Sequence, residues 1–195
     1  TDNNGATDTE TRTVTVTAPA PPDTLLIDSF DRNASSSWDS ADVGGPWSLT
    51  GNSSRFAVTD GVGRLRLTAR GSSAQVDAVN ARATSSELRL SVKWSRTSSG
   101  GSTYTVISPR AVSSSADYRL KIYVTGTVPY LDLIRRVGGT ETLLSRTPLS
   151  LRLTKPDTTY RVAVRATTNG GSTTLAAKLW ADGAAEPDAW QATAS

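Results

Sequence analysis

Side chains that alternate between apolar and polar at every second position are the feature that most constrains this chain. The alternation is clear in residues 64–70, 87–94 and 118–124, and no stretch of ten residues has a helical period. A period of two places neighbouring side chains on opposite faces of a β-strand. The turns between such segments are rich in glycine and serine, as at residues 98–102, 137–140 and 169–172. The pattern predicts an all-β chain, folded as an antiparallel two-sheet jelly-roll sandwich.

The alternation also predicts which side chains face the core. The inward positions are the apolar ones, namely Leu88, Leu90, Val92 and Trp94 in one strand and Leu65, Leu67 and Ala69 in another. Residues 25–30 (LLIDSF) are expected to form the entry strand. The tryptophans beside Gly or Pro at strand ends are expected to pack in the core rather than to stack on a ligand; they are Trp38, Trp47, Trp180 and Trp190.

Composition excludes several classes of function. The chain of 195 residues carries a net charge of +3, and its basic residues are scattered rather than clustered, which argues against nucleic-acid binding. No apolar run approaches the ~20 residues that span a bilayer, so we expect no membrane insertion. Cysteine and histidine are both absent. The absence of histidine removes the usual general base and metal ligand, and we expect no catalytic residues.

The first residues differ in character from the rest. Residues 1–17 contain an Asn-Gly turn and an alternating strand, and residues 18–23 (APAPPD) form a short proline-rich linker. Residues 1–17 resemble the closing hairpin of a PKD domain, a sandwich of surface proteins. Because the chain begins at Thr1 without a methionine, we expect a fragment of a larger protein.

Residues 24–195 resemble concanavalin A-like (laminin G-like) jelly rolls. The motifs that carry this resemblance are DSFDR at 28–32, Trp38 with Gly44-Gly45 and Trp47, DYR at 117–119, and KLWADGAAEPDAWQ at 178–191. Such domains occur in actinobacterial secreted proteins and in phage minor tail proteins. They usually continue into one more strand beyond the last motif, so the resemblance implies that the final strand is lacking here.

A candidate ligand surface lies on the outward rows of the predicted strands. Its members are basic and aromatic residues, namely Arg89, Arg119, Lys121, Tyr123 and Tyr130. Tyrosine rings offer a face to the C–H groups of a sugar, and guanidinium groups bind hydroxyls and carboxylates. Tyr104 and Tyr130 are expected to flank Tyr123 if the strand order allows it. The alternative is that these charges only solvate the sheet and protect its edge.

A calcium site is the one cofactor that the sequence suggests. Asp28 and Asp31 are the candidate ligands, with Asp39 and Asp42 nearby, because Ca²⁺ prefers carboxylate oxygens. The spacing matches no EF-hand loop. The alternative is that these aspartates form turns and caps in a long loop.

These observations predict a non-catalytic extracellular module, secreted or at the cell surface, that binds carbohydrate or mediates adhesion. Its expected partners are a polysaccharide or cell-surface glycan and neighbouring domains or copies of the chain. The alternative is a structural building block of a cell-surface fibre or a phage tail, located in the virion. A polysaccharide-degrading enzyme is the third possibility.

Overall fold

The computed structural model describes residues 23–95, 102–153 and 155–195. Within these ranges the chain forms thirteen strands, all paired antiparallel, and one short 3-10 helix. The prediction of an all-β fold is therefore confirmed. The described residues include no helix long and apolar enough to cross a membrane. The closing hairpin predicted at 1–17, the linker except Asp23, and most of the turn predicted at 98–102 lie outside the described residues.

The described chain divides into two compact units, with the boundary between Ala81 and Arg82. The first unit contains short strands and the 3-10 helix Ser53–Arg55. Its strands are β1 (Ala34–Ser35), β2 (Ser48–Thr50), β3 (Phe56–Thr59), β4 (Val62–Leu65) and β5 (Gln75–Asp77). They form one sheet in the order β1-β3-β4 and a second in the order β2-β5.

An aromatic cluster forms the core of the first unit. Trp38, Phe56 and Val58 are buried, and the ring of Trp38 meets Phe30 and Trp47 edge-on at centroid distances of 5.2 and 5.4 Å. Gly63 allows this packing, since a Cβ atom there would lie 2.7 Å from the Phe30 ring and 2.8 Å from the Trp38 ring. The prediction that Trp38 packs in a core is confirmed.

Two strand predictions in the first unit are wrong. Residues 25–30 form only an isolated bridge, between Ile27 and Val43. In residues 64–70 the strand ends at Leu65, and Leu65 and Leu67 are exposed rather than inward. The amide of Arg66 still donates to the carbonyl of Arg55 in register with β3, but the ladder ends there because the partner segment Ser53–Arg55 is a 3-10 helix and not a strand.

The second unit is a sandwich of two four-stranded sheets. Its strands are β6 (Ser86–Lys93), β7 (Ser102–Ser113), β8 (Ala116–Thr125), β9 (Val128–Val137), β10 (Thr140–Pro148), β11 (Thr159–Asn169), β12 (Ser172–Ala181) and β13 (Ala192–Ala194). We call the sheet β10-β9-β8-β7 the front sheet and the sheet β13-β12-β11-β6 the back sheet. Glycine pairs with positive φ form the hairpin turns after β9 and β11, as predicted.

The hydrophobic core of the second unit lies between the two sheets. The front sheet contributes Leu120, Ile122, Leu131 and Leu133, and the back sheet contributes Val162, Val164, Leu175 and Leu179. The predicted inward row of β6 packs against this core. Burial of apolar surface of this kind is the main favourable term in folding. The sandwich predicted from the alternation is therefore confirmed for residues 82–195.

Candidate ligand-binding face

The outward surface of the front sheet, called the front face below, brings together four of the predicted ligand residues. Strand β8 contributes Arg119, Lys121 and Tyr123, because Leu120, Ile122 and Val124 between them point into the core. Strand β9 contributes Tyr130, which lies directly opposite Tyr123. The alternation of β8 therefore decides the composition of this face.

Three tyrosines form a row across strands β7, β8 and β9. Tyr104 pairs with Tyr123, and Tyr123 pairs with Tyr130. The rings of Tyr104 and Tyr123 are stacked, with centroids 5.2 Å apart and planes 13° apart, while Tyr130 is tilted at 5.7 Å from Tyr123. Tyr104 keeps 55% of its surface exposed. The expectation that Tyr104 and Tyr130 flank Tyr123 is confirmed.

Two cations lie over the faces of these rings. The guanidinium carbon of Arg146 is 5.0 Å from the Tyr123 ring centroid and 5.7 Å from that of Tyr130, and Lys121 Nζ is 5.3 Å from the Tyr104 ring. Such contacts are attractive because the ring face is negative. Sequence reasoning missed Arg146, whose position depends on a β-bulge in β10 between Leu143 and Ser145. The alternating pattern of the sequence does not indicate this bulge.

The cations of the front face are paired with carboxylates. Arg146 forms a two-pronged ion pair with Asp132, at 2.8 and 2.7 Å, and the Asp132 carboxylate is almost fully buried. The hydrogen bonds that Arg146 donates to Asp132 raise the pKa of Arg146. A planar guanidinium matches a carboxylate in this geometry, which also fixes the orientation of the arginine against the tyrosines.

A second network occupies the other half of the front face. The Asp117 carboxylate accepts hydrogen bonds from Arg119 and Arg136, and Glu141 accepts from Arg119 and Lys121. Burial by itself lowers the pKa of Arg119, but the hydrogen bond and charge of Asp117, followed by Glu141, raise it above its ordinary value. The face thus offers polar groups whose charges already balance one another.

Arg89 is separate from the other predicted ligand residues. It lies on β6 of the back sheet, where it contacts Glu87 at 2.7 Å and Glu186 at 2.8 Å. The two sheets of a sandwich pack about 10 Å apart with their outward faces on opposite sides. Arg89 therefore cannot join Arg119 and Tyr123 in one site.

Residues 182–191, called the strap below, cover the part of the outward surface of the back sheet around Ala163 and Lys178. Lys178 on β12 is almost fully buried and donates to Glu186 and to the carbonyls of Pro187 and Asp188. The Trp190 ring lies 4.8 Å from the Arg165 guanidinium and 5.0 Å from Lys178 Nζ. Ala163 on the same surface is fully buried. The motif at 178–191 thus holds the chain's own strap in place.

The predicted calcium ligands lie in the first unit, and Asp28 has other partners. Its carboxylate accepts two hydrogen bonds from Arg32, one from the Trp47 indole and one from the Phe30 amide. Burial raises the pKa of Asp28, but these donors outweigh it and hold the pKa below its ordinary value. Oxygens that face four N–H donors do not fit a cation ligand. Calcium binding stays a prediction that this arrangement does not favour.

The other acidic residues in the described ranges do not favour a metal site either. No group of three or more Asp or Glu side chains in residues 23–95, 102–153 and 155–195 is arranged to hold a metal ion. The DSFDR motif instead has a structural role, because Arg32 also donates to the carbonyl of Trp38 and so connects the motif to the aromatic cluster.

Comparisons of the chain with models of known protein families, with curated proteins and with solved structures each find no match. What the front face can bind therefore follows from its own side chains.

Proposed function

We propose that the front face binds carbohydrate and that the chain is a non-catalytic binding or adhesion module of an extracellular protein. The observation that carries this proposal is the row of three tyrosines, with Tyr104 half-exposed at one end and charged groups beside every ring. Aromatic rings next to fixed hydrogen-bonding groups are suited to sugars, which present C–H surfaces and hydroxyls together.

The geometry of the row suggests how a sugar would lie. Because the Tyr104 and Tyr123 rings stack on each other, the middle ring has little free face, and Tyr104 offers the main apolar surface. Hydroxyls of the sugar would then reach Lys121 and Arg146, which are already held in place by ion pairs. Side chains held in this way lose less entropy on binding. A small site of this type binds weakly, and repetition in a larger assembly increases the avidity.

The state of the acidic residues supports a non-catalytic role. Hydrogen bonds from Arg165 and Arg89 overcome the effect of burial and lower the pKa of Glu87, and Arg89 and Lys178 lower the pKa of Glu186. Asp132 and Glu141 on the front face are each paired with a cation. A glycosidase instead needs one carboxylic acid with a raised pKa near a second carboxylate. The jelly-roll class suggested by the sequence motifs is part of the same proposal.

Replacing Tyr123 with alanine is expected to weaken glycan binding by about tenfold, or about 1.4 kcal/mol. The reason is that Tyr123 is the central ring and supports both neighbours. An NMR titration with a panel of neutral oligosaccharides measures the affinity, and shifts should concentrate on β7, β8 and β9.

The matched control is Val112→Ala, an exposed position on strand β7. It should leave the affinity unchanged. If the folded wild-type chain binds no glycan on an array or in the titration, the proposal fails, and a structural building block of a fibre or a phage tail becomes the better interpretation.

A further inference from the structure

We infer that the second unit has an oxyanion-binding site at one end of the sandwich, built by Arg110, Tyr118, Arg135, Thr168 and Thr173. We call this end the turn end, because the hairpin turns after β7, β9 and β11 lie there. The inference does not depend on carbohydrate binding at the front face. It rests on two arginines that form no ion pair with a carboxylate, unlike the arginines on the outward faces of the two sheets.

Strand register places the two arginines on either side of one tyrosine. Arg110 on β7 and Arg135 on β9 are both paired with Tyr118 on β8. The next inward row on the same side contains Leu120 and Leu133, which belong to the core. Arg110, Tyr118 and Arg135 therefore lie at the end of the hydrophobic core. The backbones of Arg110 and Arg135 are two strand spacings apart, which is about 10 Å. Two arginine side chains are long enough to contact one small anion across this distance.

The back sheet contributes hydroxyl groups at the same level. Thr168 and Thr173 pair with each other across β11 and β12, directly after the core residues Ala166 and Leu175. Arg110 Nη1 donates to Thr168 Oγ1 at 2.6 Å and also to Thr173 Oγ1. Its guanidinium carbon lies 5.3 Å from the Tyr118 ring centroid. The arginine is therefore oriented between the sheets by neutral partners.

The charge of these two arginines is not balanced. No carboxylate among the described residues forms an ion pair with Arg110 or Arg135, and Arg110 is half-buried. The arginines of the two outward faces behave differently, since each has an acidic partner; they are Arg89, Arg119, Arg136, Arg146, Arg161 and Arg165. Arg135 is exposed, whereas the partly buried charge of Arg110 is unfavourable without a counter-charge, so an anion bound there would stabilise the fold.

The chemistry of the site defines the class of ligand. Guanidinium groups bind planar or tetrahedral oxyanions through paired N–H donors, and hydroxyls of threonine and tyrosine add further donors. The shared feature is a compact oxyanion group, such as a carboxylate, sulfate or phosphate. It can belong to a free ion or to an acidic sugar. The loops at the ends of β-sandwiches are accessible positions for such ligands.

Titration calorimetry of the full chain with sodium sulfate, glucuronate and a glucuronate-containing oligosaccharide tests the inference. Ionic strength is held constant with sodium chloride, because surface charge effects are screened by salt. We expect saturable binding of at least one probe, and the tightest probe identifies the source of the oxyanion. The variants Arg135→Gln and Arg110→Lys should each weaken that binding by about tenfold or more.

The control Arg161→Gln removes the same charge from the back sheet, where Arg161 pairs with Asp182 at 2.7 Å, and it should bind normally. Tyr123→Ala should also bind the anion normally, which separates this site from the front face. Absence of saturable binding of all three probes would overturn the inference. An equal loss of affinity in Arg135→Gln and Arg161→Gln would also overturn the inference, because the effect would then reflect net charge alone.

Discussion

Replacing Asp28 with alanine is expected to destabilise the first unit by about 3–5 kcal/mol, the cost typical of breaking a buried ion pair from one side. The Asp28 side chain is 4% exposed, and its loss leaves Arg32 without its partner. The Trp47 indole and the Phe30 amide lose their acceptor at the same time. All these donors belong to the segment that positions the aromatic cluster, so the cluster should lose its packing.

Two-dimensional NMR measures this effect directly. The indole Nε1–H signals of Trp38 and Trp47 report on the first unit, and both should move toward random-coil positions as the unit unfolds at lower urea concentration. Asp31→Ala is the matched control, because Asp31 lies in the same segment but is exposed, and its carboxylate makes none of these contacts. Equal urea midpoints for the two variants would contradict the prediction and the structural interpretation of the DSFDR motif.

Acid is expected to destabilise the first unit through the same carboxylate. The folded-state pKa of Asp28 lies below the ordinary value of 3.8, so the unfolded state takes up the proton first as the pH falls. The stabilisation is therefore complete above about pH 5 and decreases through pH 4 and below. Urea midpoints measured between pH 6 and pH 3 check this. In Asp28→Ala the slope of stability with pH should be smaller, and an unchanged slope would assign the pH dependence to other groups.

Replacing Lys178 with alanine has the second large expected effect, which is release of the strap. Lys178 holds three acceptors in residues 186–188 and contacts the Trp190 ring. Its removal leaves two carbonyls and the Glu186 carboxylate without this donor. Such losses cost about 1–3 kcal/mol each when the acceptor stays buried. Because the strap can rehydrate, we expect a total loss of about 2 kcal/mol.

Hydrogen exchange and quenching of tryptophan fluorescence measure the release. Amides of residues 182–191 should exchange faster in the variant, and the Trp190 indole should become accessible to iodide. Lys93→Ala on strand β6 is the control, since Lys93 is exposed and lies on the same sheet. Unchanged exchange in the strap of Lys178→Ala would show that Arg165 and Glu186 hold it without the lysine.

Some site residues were predictable because they depend only on one strand. Arg119, Lys121 and Tyr123 share a face for the simple reason that they alternate with core residues on β8. Tyr104 and Arg146 depend on which strands become neighbours, and Arg146 also depends on the bulge in β10. Alternation carries no information about pairing between strands or about an inserted residue.

The outward rows of β6 and β8 are similar in sequence, yet their side chains contact different parts of the structure. Arg89 lies between Leu88 and Leu90, and Arg119 lies between Tyr118 and Leu120. Arg89 pairs with Glu186 of the strap, whereas Arg119 pairs with Asp117 and Glu141 on its own sheet. In residues 64–70 the same pattern leads to exposed leucines, because the backbone leaves the sheet. A polar position on a strand can face solvent or another segment of chain, and only long-range packing decides between them.

The sequence by itself determined the all-β class, a two-sheet sandwich and the inward rows of β6 and β8, because a period of two allows apolar burial only in paired strands. It placed the sandwich over residues 24–195, whereas the structure limits it to residues 82–195. The tertiary structure alone decided that the strap packs on the back sheet, that Asp28 pairs with Arg32, and that Arg110 and Arg135 both lie opposite Tyr118. The physical reason is that these features arise from strand pairing and long-range contacts, whereas alternation is a property of each strand separately.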